Sequence, residues 1–229
     1  MALALLMVAA LVACGGSDKV EAKPPSAAEP LAAAKVKFDA AMFVHLTLRS
    51  SGIPASVNGV LGADGSGTHA PAFRGTLDVG VSGFQAKVEV VAVDKVLYLK
   101  LPSTTEFVQV DPKQYNAPDP AQLLAKEGGI SSLLTATANP VEGEKTRVEP
   151  DVLRTITGTL PGASVVKLLN IGDVTSTFNV TYGITDPGGE LRTVTITGPF
   201  YMGATSTPAI STYLLTLDKY GAPVEISKP

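Results

Sequence analysis

The chain reads as a single α+β domain in which strands outnumber helices, and three observations carry this. A long series of short stretches between Phe43 and Ile226 alternates apolar and polar residues with period two. Gly, Pro, Asn and Asp punctuate them as turns do. Helical spacing is confined to a few short segments, and no stretch between has the composition of a linker.

In chain order, Pro30 to about Ala41 opens the domain as a helix. Leu31, Ala34, Phe38 and Ala41 recur at three and four, and Pro30 falls in the first turn, where its missing N–H costs nothing. Strands are expected at Phe43–Leu48, at Ser56–Ala63 (closed by an Asp64-Gly65-Ser66-Gly67 turn) and at Phe73–Val81. The clearest alternation is Phe84, Ala86, Val88 and Val90 against Gln85, Lys87 and Glu89, so one face is expected dry and the other wet. Asp94-Lys95 turns into Val96–Leu101, where Leu97 and Leu99 would share that dry side, and Phe107–Val110 follows. Asp119-Pro120-Ala121-Gln122 has the spacing of a capping box and predicts a short helix over Gln122–Lys126, carrying Leu123 and Leu124. A second helix is expected over Ile130–Ala138 with Leu133 and Leu134 inward. A third follows Pro161-Gly162, with Val165, Val166, Leu168 and Leu169. All are too short to hold in water alone and must pack on the sheet. Strands at 142–148 and 152–160 flank Pro150-Asp151. A second meander then runs over 175–185, with Phe178, Val180, Tyr182 and Ile184 on one face, and over 191–197, 210–217 and 223–226.

Composition narrows the function. The net charge is −3 and charged residues are 17% of the chain, so nucleic acid is not an expected partner. One cysteine excludes an internal disulfide. There is no Gly-x-Ser-x-Gly elbow, P-loop or Gly-x-Gly-x-x-Gly after a strand. His45 and His69 lie far apart with no second cysteine, too few good ligands for zinc, and His45 reads as a solvent-facing or capping side chain. The cluster Glu142, Glu144, Lys145, Arg147 and Glu149 reads as an exposed strand face. No nucleophile, base, metal set or cofactor motif can be named, so no enzyme is expected.

The N-terminus supplies an address. Ala2 to Ala13 is apolar and uncharged, and Leu11-Val12-Ala13-Cys14-Gly15 has the arrangement of a lipoprotein signal: leucine at −3, a small residue at −1, and the cysteine to be acylated. The run is well short of the ~20 residues of a spanning helix. No basic n-region precedes it, which departs from the usual pattern. A buried free cysteine is the weaker alternative, because Gly-Gly-Ser-Asp-Lys is poor material for a core. The expected organisation is a signal over 1–13, a lipidated Cys14 with a solvated tether to 29, and one domain over 30–229.

Together these features resemble the mycobacterial LppX/LprA/LprF/LprG family of lipid-binding lipoproteins. The resemblance rests on Cys14, Phe107-Val108-Gln109-Val110-Asp111-Pro112, Asp119-Pro120 before a Leu-Leu helix, Leu191-Arg192-Thr193-Val194 after Gly-Gly, and the closing Lys219-Tyr220-Gly221-Ala222-Pro223-Val224-Glu225-Ile226. It implies a strongly curved antiparallel sheet, a half barrel, with helices covering its concave face around an apolar cavity. It also implies carriage of an acylated glycolipid or other long-chain lipid by a monomer anchored to the outer leaflet of the cytoplasmic membrane, in one branch alongside a major-facilitator transporter. Alternation assigns the cavity wall to the dry positions named above: Phe84, Ala86, Val88, Val90, Leu97 and Leu99 from the first meander, Leu123, Leu124, Leu133, Leu134, Val165, Leu168 and Leu169 from the helices, and Phe178, Val180 and Tyr182 from the second. An apolar strand face against Leu-rich helices also describes a filled core, and a non-enzymatic adaptor of an envelope complex is the alternative function.

Overall fold

The computed structural model describes residues 27–81, 83–111, 118–203 and 207–229. Cys14, the apolar run before it and the tether up to Ser26 lie outside the described residues. Helix α1 (Ala28–Ala40) leads into strands β1 (Phe43–Ser51), β2 (Gly59–Thr68), β3 (Ala72–Val81), β4 (Phe84–Val93), β5 (Val96–Lys100) and β6 (Val108–Val110). A 3₁₀ turn (Gln122–Leu124) and α2 (Ile130–Ala136) precede β7 (Ala138–Val148), β8 (Asp151–Pro161), α3 (Gly162–Leu169), β9 (Thr177–Thr185), β10 (Leu191–Met202) and β11 (Pro208–Asp218).

The strands form one antiparallel sheet ordered β6-β5-β4-β3-β2-β1-β11-β10-β9-β8-β7, curved and unclosed. Every neighbour is also a neighbour in sequence except β1 and β11, whose pairing (Leu46 opposite Leu217, Leu48 opposite Leu215) joins the two meanders. The open edges are blunted: β6 has three residues, and β7 is exposed almost throughout and carries Glu142, Glu144, Lys145 and Arg147.

Most predicted elements stand, with five differences, one being that β7 begins at Ala138, the last residue of the second expected helix, and not at 142. β2 runs through Asp64-Gly65-Ser66-Gly67 instead of turning there, because these glycines press against β3. A Cβ on Gly65 would lie 2.4 Å from the Phe73 ring and 2.9 Å from the Gly75 Cα, so the residue type that reads as a turn here marks a close backbone approach. The helix expected over Gln122–Lys126 is a single 3₁₀ turn, with Asp119 accepting from the Ala121 N–H at 2.9 Å. β10 extends to Met202, and the tail over 223–226 forms no strand. Val224 and Ile226 are half-buried, and Lys228 sits 5.9 Å from the centroid of the Tyr98 ring. Among the described residues no helix is long and apolar enough to cross a membrane.

The helices cover one face of the sheet and close a continuous core with it. Leu31, Ala34 and Phe38 of α1, Ile130, Leu133 and Leu134 of α2, and Val165, Leu168 and Leu169 of α3 are buried against Ile156, Leu160, Phe178, Tyr182 and Phe200. A polar clasp fixes α1 to α2. Buried Ser131 donates to Asp39 Oδ1 at 2.7 Å, and Lys35 Nζ lies 2.6 Å from Asp39 Oδ2 and 3.2 Å from Ser131 Oγ. Ser131→Ala is expected to cost about 1.5 kcal/mol of unfolding free energy, read from urea denaturation, because it strips a donor from a half-buried carboxylate.

Candidate functional site

The helical cover is uneven, and this creates the site. Over β8–β10 large side chains fill the space beneath the helices. Over β2–β5, toward the end where β3 turns into β4, the cover is the segment Pro118–Leu124, and the sheet presents small residues (Gly59, Ala63, Gly80) among aliphatics. An apolar gap remains there in two adjoining lobes that share Gly59, Val60, Leu77, Pro118 and Pro120. The outer lobe, about 160 Å³, is walled by Val79, Val81, Val88, Leu97, Leu99, Leu101 and Val110, with Asn58 at its border. The inner lobe, about 40 Å³, runs toward the sheet centre among Leu46, Leu48, Phe73, Leu123, Leu169 and Ile171.

Polar chemistry in the gap is sparse. At the inner lobe Tyr201 and Tyr213 join their hydroxyls at 2.5 Å, and burial raises both phenols above their ordinary value. Tyr182, beneath α2, shares a 2.8 Å hydrogen bond with Thr137 Oγ1 and is also raised by burial. These groups stay neutral and act as hydrogen-bonding partners only. Asp119, on the covering segment, has its carboxyl raised by burial against the lowering effect of the Ala121 and Gln122 N–H groups. Among the described residues no group of three His, Cys, Asp or Glu side chains could hold a metal ion.

The two histidines are structural. His45 lies on the outer face, partly covered, with Nδ1 2.6 Å from Asp218 Oδ1 and Nε2 3.1 Å from Asp64 Oδ1. It is therefore held between two carboxylates instead of standing free in solvent. His69 bridges the Leu124 and Phe38 carbonyl oxygens, tying the 3₁₀ turn to α1.

Of the residues that alternation assigned to a cavity wall, Val88, Leu97, Leu99, Leu123 and Leu169 border the gap. Val90, Leu124, Leu133, Leu134, Val165, Leu168, Phe178, Val180 and Tyr182 are buried in the packed core. They face the same side, but the helices close directly onto them. Phe84 and Ala86 require correction. Their parity is that of Val88, but they stand at the hairpin end beyond the cover and are exposed, Phe84 at 80%. The expectation missed Leu77, Val79 and Val81, although the hairpin register pairs Leu77 with Val88 and Val79 with Ala86. That pairing was available from the short turn between β3 and β4. Pro118, Pro120, Tyr201 and Tyr213 carry no such signal, since they reach the gap only through tertiary packing.

Comparison with known proteins follows this geometry. The family model described as LppX_LprAFG lipoprotein matches residues 26–226. The chain superposes on LprF from Mycobacterium bovis with a TM-score of 0.72 at 19% identity, covering 90% of this chain and 99% of that one. For lipoprotein LppX from Mycobacterium tuberculosis the TM-score is 0.64 at 20% identity, covering 87% and 97%. At these identities the structural likeness is one of fold. No curated protein matches the chain in sequence.

Proposed function

The chain belongs to the LppX_LprAFG lipoprotein family, and from that premise and the apolar gap we propose that it binds multi-acylated (glyco)lipids and carries them through the cell envelope. In this reading acylated Cys14 anchors a monomer to the outer leaflet of the cytoplasmic membrane. Cargo comes from that membrane or from a transporter within it and is passed to the outer envelope.

The carrying observation is a gap walled almost wholly by aliphatic side chains and open at one end of the sheet. Such a site takes hydrocarbon without specific polar contacts. Burying about ten methylenes is worth about 8 kcal/mol by transfer alone, whereas an apolar void of this kind gains little from water. The outer lobe, about 160 Å³, is smaller than the ~300–1,000 Å³ of typical small-molecule sites. Uptake of more than part of one chain therefore requires the cover at Pro118–Leu124 to move outward. That cover is held by one 3₁₀ turn, the Asp119 cap and the His69 bridge.

Mass spectrometry of organic extracts from the chain beginning at Gly15, produced in a mycolate-containing host, tests this. A discrete multi-acylated lipid near one per protein is the expected result. No lipid above background from a folded monomer overturns the reading and leaves the adaptor role.

A further inference from the structure

Several of the exposed large apolar side chains gather at one end of the sheet, although Val36 on α1 and Met42 before β1 lie elsewhere. The strand registers bring the β1–β2 connection, the adjoining ends of β3 and β4, the loop after β5, the segment before β9 and the adjoining ends of β10 and β11 to one end of the sheet. Phe84 (80% exposed), Met202 (59%) and Ile210 (61%) stand at this end, with Val81 and Leu101 on the wall of the gap itself.

Charge is distributed in the opposite sense. The stretches 50–63, 79–86 and 193–217, which contribute strand ends here, contain no Asp, Glu, Lys or Arg in their sequence. The charged groups nearby are Glu106, the Asp78–Lys87 ion pair (2.9 Å) on the outer face just inside the edge, and Asp173, whose carboxylate is taken up by Thr175 and Ser176. The other end carries Asp94, Lys95, Glu149, Asp151, Asp186, Glu190, Asp218 and Lys219 in its turns and strand termini.

We propose that this charge-poor, apolar-rimmed end is a membrane-docking surface that seats on a phospholipid bilayer, with Phe84 and Met202 immersed at the rim of this end. An apolar rim enters the headgroup–acyl boundary by about 5–10 Å, and here residues 50–63 and 79–86 bring no charged side chain to be desolvated, while Glu106 and Asp173 stay at the hydrated headgroup level. Continuity favours a bilayer over a protein partner. Val81 and Leu101 belong to both the rim and the gap wall, so a chain leaving the bilayer enters the gap without crossing water. The thirteen residues from Cys14 to Ser26 reach at most about 45 Å, more than the ~33 Å length of a ten-residue strand. The anchor thus permits either end to face the membrane, and the rim selects which. The proposal goes beyond cargo binding, since docking stands or falls whether or not the gap holds lipid.

The chain contains no tryptophan, so each introduced one reports alone. Phe84→Trp, Met202→Trp and Val148→Trp (the last at the β7–β8 turn, opposite end) are made in the full chain. Each is reconstituted into phosphatidylethanolamine–phosphatidylglycerol vesicles with brominated acyl chains. All three positions are exposed, and circular dichroism verifies that each variant is folded. Blue-shifted, quenched emission at positions 84 and 202 with water-like, unquenched emission at 148 is the expected result. Water-like emission at either rim position, or equal quenching at all three, overturns the proposal. Lipid extraction from the same variants reports separately on cargo.

Discussion

Replacing Val88 by tryptophan is expected to reduce co-purifying lipid to background while leaving a folded, monomeric protein. Val88 is 2% exposed, lies opposite Leu77 in the β3–β4 register, and forms part of the outer lobe's wall. An indole at this position projects into the about 160 Å³ of empty space and fills most of what an acyl chain would occupy. The gap absorbs much of the added bulk, so the stability change should stay within about 1.5 kcal/mol, well inside the range for overpacking a filled core. The readouts are lipid per protein by mass spectrometry and the urea midpoint. Undiminished lipid in a normally stable variant means that cargo binds elsewhere.

The largest stability effect is expected from Gly75→Val, at about 3 kcal/mol or more of destabilisation, the upper end for inserted bulk in a packed interior. Gly75 faces Gly65 across the β2–β3 pair. A Cβ on Gly75 would lie 2.2 Å from the Asp64 carbonyl oxygen and 2.6 Å from the Gly65 Cα. Both obstacles are backbone, so no rotamer change relieves them, and the strands must part just where Phe73 packs over Gly65. Gly80→Ala in the same strand is the internal contrast. Its Cβ would meet only Leu61 side-chain atoms, the nearest at 3.4 Å, so a change under about 1 kcal/mol is expected. Urea denaturation of both variants checks the pair. Equal effects would mean that glycine content, not the close approach, sets the requirement.

Much of the architecture is legible along the chain. Period-two alternation, turn residues and short helical segments locate nearly every element, because each signal depends on residues within one or two turns or strands. The same alternation assigns side chains correctly to one face: Val88, Val90, Phe178, Val180 and Tyr182 are all buried. Legibility fails where the deciding neighbour is remote. The Asp64–Gly67 run looks like a turn until β3 is placed against it. Phe84 continues the alternation of Val88 yet is exposed, because whether a dry-parity residue is covered depends on where the covering segment ends.

The sequence by itself determined the α+β class, the two meanders and the apolar parity of most strands, all consequences of local periodicity and residue chemistry. Tertiary structure alone decided that β1 and β11 meet to make one open sheet, and that the helices fill the space over β8–β10 but leave a gap over β2–β5. It also decided that the β1–β2 connection and the ends of β3 and β5 meet at the border of that gap. The physical reason is that a core and a cavity use the same apolar side chains, and only the distance between the two facing layers distinguishes them.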